Sequence, residues 1–169
     1  MKPSEAAEPE APAREQLTVR PATIEDAGAL ARLSVQLGYP TSREQVESRL
    51  GTILGKPEHA VLVAEVESGS DGTPKTGPQV VAWIHGFVQR VVESDPTVQL
   101  GGLVVDEAWR GRGAGRLLLE HVERWACSVG CATVTVRSNV IREQAHEFYQ
   151  KMGYNAVKVQ RVVRKQVAI

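Results

Sequence analysis

The most informative residues of this chain are arginines and glycines placed at fixed spacing between a predicted strand and a predicted helix. Val104 to Leu118 reads VVDEAWRGRGAGRLL, in which Arg110, Gly113 and Gly115 follow an R-x-x-G-x-G spacing. Glycines let backbone N–H groups approach an anion closely, and the following helix directs its free N–H groups and positive dipole end at the same point. The spacing therefore predicts a loop that binds pyrophosphate.

Two other phosphate-binding loops are a poor match to this segment. A nucleoside-triphosphatase loop needs Lys-Ser or Lys-Thr after its last glycine, whereas Arg116-Leu117 stands there. A dinucleotide-binding loop needs G-x-G-x-x-G, and the glycines at positions 111, 113 and 115 do not fit that spacing. For these few residues taken alone, a glycine-rich surface turn with solvated arginines is the remaining alternative.

Length and composition indicate one globular domain. The chain has 169 residues, of which 42% are hydrophobic and 24% charged, and its formal net charge is zero. A neutral chain offers no general attraction to nucleic acid or to an anionic membrane, so neither is an expected partner. Its two cysteines, Cys127 and Cys131, complete no metal site and are expected to be small buried residues.

The amino-terminal residues predict no targeting signal and no membrane anchor. Residues 1–16 are rich in Pro, Ala and Glu and lack the apolar stretch of a secretion signal, so we expect a disordered tail. No apolar run approaches the length of a transmembrane helix. These features favour a cytoplasmic protein.

Hydrophobic periodicity predicts the element order β-α-α-β-β-β-α-β-α-β. Ser42 and Gln45 form a capping box at the second helix, and Gly101-Gly102 predicts a bulge or splay in the strand before the Arg-Gly loop. Residues 154–167 are strand-like. We therefore expect an α/β domain with a mixed, mostly antiparallel sheet of six or seven strands, about four helices, and one βαβ unit holding the loop.

Two segments carry a resemblance to a known family. VVDEAWRGRGAGRLL resembles motif A of the GNAT N-acetyltransferases, and AHEFYQKMGY, residues 145–154, resembles their motif B. The opening VRPATIEDA is similar to their first strand and helix. The resemblance covers nearly all of residues 17–169 and implies a single GNAT domain of the small bacterial type, with a splayed central strand pair.

The resemblance implies acetyl-CoA as acetyl donor and requires no metal. Exposed backbone of the splayed strand, at Leu103, Val104 and Val105, would hydrogen-bond the pantetheine arm. Backbone N–H groups of the loop and helix start would hold the pyrophosphate, with positive charge from the arginines; these residues are Arg110, Gly111, Arg112, Gly113, Ala114, Gly115 and Arg116.

Further cofactor and catalytic residues follow from motif B. Tyr149 matches the tyrosine that protonates the departing thiolate of coenzyme A in many members; its alternative role is that of a core aromatic residue beside Phe148. The common motif has Asn three residues before its Ala, where this chain has Arg142. Asn139 either contacts the cofactor in its place or caps the helix.

The general base is not evident from the motifs. Some members carry a Glu near the middle of the splayed strand, where this chain has Gly101 and Gly102. His85 is the best substitute, because it lies on the neighbouring strand and an unperturbed imidazole titrates near neutrality. Its alternative role is packing between aromatic residues. The other candidates are His59, Glu65, Glu93 and Asp95.

The resemblance implies direct attack of a primary amine on the thioester in a ternary complex, without a covalent enzyme intermediate. The acceptor is expected between the first two helices, their linker Leu37 to Thr41, and the loop after the third strand. A small-molecule amine is the favoured acceptor. A protein or peptide amine, a non-catalytic acyl-CoA-binding sensor or interaction domain, and a homodimer remain open.

Overall fold

The computed structural model describes residues 16–67 and 77–168. It divides into two compact units, residues 1–136 and residues 137–169. The disordered tail expected at residues 1–16 lies, apart from its last residue, outside the described residues. A single domain over residues 17–169 remains a prediction.

The described residues of the first unit form five strands, three α-helices and two short 3₁₀ turns, Ile24–Asp26 and Glu107–Trp109. In chain order its elements are β1 Leu17–Pro21, α1 Ala27–Gln36, α2 Arg43–Ile53, β2 His59–Val66, β3 Gln79–Val91, β4 Ser94–Val105, α3 Ala114–Ser128 and β5 Val134–Val136. The described part of the second unit, residues 137–168, contains one helix, α4 Glu143–Lys151.

The sheet has the order β1-β2-β3-β4-β5, with antiparallel neighbours except for the parallel pair β4–β5. The mixed, mostly antiparallel sheet, the four helices and the βαβ unit β4-α3-β5 are confirmed. The expectation of six or seven strands is wrong, because the described residues form five. Residues 154–168 contain no strand, and their valines are exposed. A strand needs a partner for its N–H and C=O groups, and period-2 sequence alone does not provide one.

Helices α1 and α2 share one apolar core with the sheet. Leu33 and Val63 are fully buried in it, and Leu50 of α2 is 3% exposed. The capping box predicted at α2 is confirmed, since Ser42 Oγ accepts from the Gln45 N–H at 3.2 Å and Gln45 Oε1 accepts from the Ser42 N–H at 3.0 Å. The start of α2 is therefore fixed by sequence-local hydrogen bonds.

Helix α3 packs closely on the sheet at Gly86 of β3. A Cβ at Gly86 would lie 3.0 Å from Val122 Cγ1 and 3.3 Å from Val98 Cγ1. Both valines are fully buried. The missing side chain therefore sets how near α3 comes to the strands, and with it the position of the loop from which α3 begins.

Strand β4 stays paired with β3 up to Val105 but leaves β5 after Leu100. His85 is paired with Gly102 and Gly86 with Leu100, so Gly101 is an extra residue in β4 and the predicted bulge is confirmed. The β4–β5 ladder joins Val98–Leu100 to Val134–Val136. Beyond it, residues 101–105 have no strand partner on the β5 side within the described part of the chain.

Candidate active site

The Arg-Gly loop has a backbone that favours glycine. Gly111 and Gly113 have φ angles of +76° and +91°, and Gly113 is the N-cap of α3. No side chain caps this helix end, and the N–H groups of Ala114, Gly115 and Arg116 have no acceptor within the helix. Both loop glycines are exposed. Several backbone donors thus converge where an anion could bind.

The arginines of the loop make local contacts. Arg110 Nε donates to the Val105 carbonyl at 3.3 Å, and the Arg112 guanidinium lies 4.6 Å from the centre of the Trp109 ring. Arg116 Nε donates to Glu120 Oε1 at 2.8 Å, which offsets its charge. An anion at the loop would therefore be held mainly by backbone N–H groups, with Arg110 and Arg112 at the exposed rim.

The segment of β4 that leads to the loop presents free backbone on one side. Leu103 pairs with Ile84 and Val104 with Trp83 on the β3 side, while the β5 side of residues 103–105 is unpaired among the described residues. The Val104 side chain is only 4% exposed. Its burial holds the backbone in place, so the open side can offer N–H and C=O groups to an extended ligand.

A cavity of about 490 Å³ lies on the α1–α2 side of the sheet. Its walls come from α1, α2 and the linker between them, and its floor from β2, β3 and β4. Trp83, His85 and Gly101 belong to that floor. The cavity occupies the part of the fold where the acceptor is expected, apart from the loop after the third strand, which does not line it.

Two histidines meet beside the cavity floor. His59 Nδ1 and His85 Nε2 are 3.0 Å apart, and the two rings are stacked with their centres separated by 5.3 Å. Burial, and secondly the charge of His59, lowers the pKa of His85 to about 4. The expectation that His85 titrates near neutrality is therefore wrong, because its ring is desolvated and lies beside a second imidazole.

Of the five candidate bases, only His85 lines the cavity. Glu65 accepts from Arg20 Nε at 2.8 Å, and Glu93 and Asp95 are exposed near the β3–β4 turn. His59 does not line the cavity but contacts His85, which does. His85 is therefore the one of these five residues that could contact a substrate in the cavity, and His59 could act only through its contact with His85.

The two glycines of β4 make room for aromatic rings of β3. A Cβ at Gly101 would lie 3.0 Å from His85 Nδ1, and a Cβ at Gly102 would lie 2.7 Å from Trp83 Cη2. His85 therefore occupies space that a side chain at position 101 would need. The indole N–H of Trp83 is buried and has no acceptor among the described residues.

The second unit contains the remaining predicted site residues. Burial raises the pKa of Tyr149 to about 12, against an opposing effect of the Arg142 charge. Asn139 Oδ1 accepts from the Ile141 N–H at 3.2 Å and closes a turn before α4. The N-cap of α4 is Arg142, so Asn139 does not cap the helix.

The cysteines take no part in this arrangement. Cys131 is buried as expected, but Cys127 is exposed, because it lies on the outer side of the last turn of α3. Within residues 16–67 and 77–168, no three His, Cys, Asp or Glu side chains gather as metal ligands. No helix in those ranges is long and apolar enough to cross a membrane.

Sequence reasoning missed Arg49, which lines the cavity. It lies on α2 between Val46 and Leu50, two residues that predict the buried face of that helix. A charged residue within an apolar stripe is the signal that could have identified it.

Comparison with known proteins identifies the family. The Acetyltransferase (GNAT) family profile matches residues 31–154. The aminoglycoside N(6')-acetyltransferase type 1 of Stenotrophomonas maltophilia is 34% identical over 146 residues, which cover 86% of this chain and 90% of that protein. The chain belongs to the GNAT family. Its predicted class, an acetyl-CoA-dependent N-acetyltransferase, is confirmed.

Solved structures show the same fold. The glucosamine-6-phosphate N-acetyltransferase of Arabidopsis thaliana has a TM-score of 0.72 and 21% identity, over 90% of this chain and 100% of that one. An aminoglycoside N-acetyltransferase, AAC(6')-Iy, in complex with CoA has a TM-score of 0.76 and 19% identity, over 93% and 99% of the two chains. At this identity the similarity concerns the GNAT fold alone.

Proposed function

We propose that this protein transfers the acetyl group of acetyl-CoA to the primary amine of a small molecule, by direct attack within a ternary complex. The observation that carries the proposal is the uncapped start of α3 behind Gly111 and Gly113, which follows a β4 segment with an open side. A pyrophosphate and an extended amide-bearing arm have the chemistry that these two features would bind.

In the proposed complex, the loop and the first turn of α3 bind the pyrophosphate, and residues 103–105 bind the pantetheine arm. The backbone N–H of Val104 or Val105 polarises the thioester carbonyl. Asn139 and Arg142 are proposed as further cofactor contacts. Much of the rate would come from placing two reactants together and from stabilising the oxyanion.

The proposed chemistry moves two protons. The amine nitrogen forms a bond to the thioester carbon and passes its proton to neutral His85 as that proton becomes acidic. The C–S bond then breaks, and Tyr149 gives its proton to the thiolate. A raised pKa of about 12 keeps the Tyr149 phenol protonated at neutral pH, as a general acid requires.

The experiment that tests the cofactor site is a thermal shift with acetyl-CoA. A ligand that binds the folded state raises the melting temperature as its concentration rises. Gly113→Asp places a carboxylate at the loop, and Asp tolerates a left-handed backbone better than most residues do. We expect this variant to remain folded and to lose the shift.

The matched control is Gly55→Asp. Gly55 also has a positive φ, +77°, with open space around its Cβ position, but it follows α2 and lies outside the loop. We expect this variant to retain the shift. A shift that survives Gly113→Asp would contradict the cofactor site. A shift without thiol release on a broad amine panel would favour the acyl-CoA-binding sensor over the enzyme.

A further inference from the structure

Among the described residues, the lining of the cavity beside His85 carries a positive charge and no carboxylate, although the proposed substrate is an amine. Its walls are mainly aliphatic and aromatic, and no Asp or Glu is among the described residues that line it. A substrate with several ammonium groups would find no carboxylate partner among these described lining residues.

Among the described residues that line the cavity, Arg49 brings the one formal positive charge. Its Nη1 donates to Thr41 Oγ1 at 2.9 Å, and it forms no ion pair among the described residues. Arg43 of the same helix differs, because its Nε pairs with Glu47 Oε1 at 2.7 Å. Arg49 is exposed, so water screens its charge in part, and a cation that enters the cavity still meets a guanidinium that is not offset by an ion pair.

The hydroxyl groups of the lining do not change this balance. Ser34 Oγ donates to the Leu30 carbonyl at 2.7 Å, and Thr41 Oγ1 donates to Gln45 Oε1 at 3.0 Å. Burying an unpaired ammonium group next to a guanidinium is unfavourable, whereas burying apolar surface is favourable. An apolar wall also lowers the pKa of the reacting amine and favours its nucleophilic neutral form.

We propose that the acceptor is a primary monoamine with an apolar, ring-sized body that is neutral or acidic, and that Arg49 selects against polycations. This inference rests on the proposed function and specifies its substrate class. It separates this chain from the aminoglycoside substrate class in the name of its Stenotrophomonas relative, since aminoglycosides carry several amines.

The test uses three amines that differ at one position. They are 2-phenylethylamine, its para-carboxylate and its para-aminomethyl derivative, with neamine as a polycation. For the native chain, we expect the first two to exceed the para-aminomethyl compound in kcat/KM by about tenfold or more, because like charges brought together disfavour binding. Binding of the same compounds to the protein loaded with CoA should follow the same order.

Two variants test whether Arg49 causes this order of substrate preference. Arg49→Glu should reverse the preference between the carboxylate and aminomethyl compounds. Arg43→Glu makes the same charge change on the same helix outside the cavity lining, and should leave the preference unchanged. Reversal by both variants would remove Arg49 as the selecting residue.

The outcomes separate this inference from the proposed function. The expected binding order without any thiol release would support the substrate class and contradict the enzyme activity. Efficient acetylation of neamine or of the aminomethyl compound, at or above the rate for 2-phenylethylamine, would support the activity and overturn the substrate class. Absence of binding by all three ring amines would overturn the substrate class as well.

Discussion

His85 combines burial with a hydrogen bond to a second histidine. Its pKa of about 4 means that the imidazole is neutral throughout the physiological range. A neutral imidazole can accept a proton at any pH in that range, although it is a weaker base than a solvated one. In the proposed mechanism, His85 therefore stays neutral, and able to accept a proton, across this pH range.

The first prediction concerns the pH dependence of His85. Because protonated His85 cannot accept the proton of the amine, the rate should fall as pH decreases through about 4, the pKa of His85. His85→Gln should lower kcat by about 10²-fold and remove this limb. Initial rates from pH 3.5 to 8 measure both effects, and an unchanged limb in His85→Gln would assign it to another group.

His59→Gln is the companion variant. The charge of His59 contributes to the lowered pKa of His85, so its removal should raise that pKa and move the acidic limb to higher pH. A limb that moves in His59→Gln and vanishes in His85→Gln would identify the pair. A limb at the same pH in His59→Gln contradicts the electrostatic coupling.

A second residue-scale prediction concerns Tyr149. Tyr149→Phe should lower kcat by about 10²-fold or more and leave the affinity for acetyl-CoA nearly unchanged, because the phenol acts as the thiolate leaves. Tyr154 is the matched control, since its ring centre lies 5.5 Å from that of Tyr149. Tyr154→Phe should retain most of the activity. Equal rates for Tyr149→Phe and Tyr154→Phe would contradict the catalytic role of Tyr149 and leave it as a packing residue.

The sequence predicted the types of site residues better than their environments. Gly113 and Gly115 were found because the R-x-x-G-x-G spacing is a local backbone requirement. The pKa of His85 could not be read from sequence, because it depends on His59, which is 26 residues away in the chain. Arg49 was missed since its role comes from the cavity.

At the scale of elements, helix α2 depends on its first turn. It forms one wall of the cavity and begins at the capping box of Ser42 and Gln45. The apolar side of α2 is short, with Val46 and Leu50 as its buried residues. Local hydrogen bonds therefore contribute a larger share of its stability than in a longer amphipathic helix.

Ser42→Ala should reduce the free energy of unfolding by about 1 kcal/mol, the usual cost of losing an N-cap. Ser48→Ala is the control, because Ser48 is an exposed residue of the same helix and makes no side-chain hydrogen bond among those described. Its effect should be within about 0.5 kcal/mol. Urea denaturation measures both, and equal stability of the two variants would show that the capping box is dispensable.

The elements with local signals were predicted most closely. The capping box marks the start of α2, and the alternation of Trp83, His85 and Phe87 marks one face of β3. Residues 154–167 have similar β-propensity but form no strand in the described part of the chain. Strand formation depends on a pairing partner elsewhere in the molecule, which propensity does not reveal.

At the scale of the molecule, the approach of α3 to the sheet at Gly86 joins stability to the cofactor loop. Gly86→Ala should lower the free energy of unfolding by about 1–3 kcal/mol, because its Cβ would overpack against Val122. It should also weaken acetyl-CoA binding, since α3 would shift with its first turn. Chemical denaturation and thermal shift measure the two effects.

Gly51→Ala should change the free energy of unfolding in the opposite direction to Gly86→Ala. Gly51 lies in α2, and its Cβ position has no neighbour within 4 Å. Alanine there should stabilise the protein by up to about 1 kcal/mol, through higher helix propensity. Equal effects at Gly51 and Gly86 would show that the distance between α3 and the sheet is not limited by that glycine.

The overlap between His85 and the side-chain space of position 101 limits how this site can change through successive substitutions. A carboxylate introduced at Gly101 would place its Cβ 3.0 Å from His85 Nδ1, so the imidazole would have to move by a few tenths of an ångström to accommodate it. In the proposed mechanism, replacing His85 first would remove the base before its successor exists. We therefore expect substitutions at the two positions to be non-additive. We therefore expect a lineage that moves the base between neighbouring strands to pass through a less active intermediate or to change both residues together.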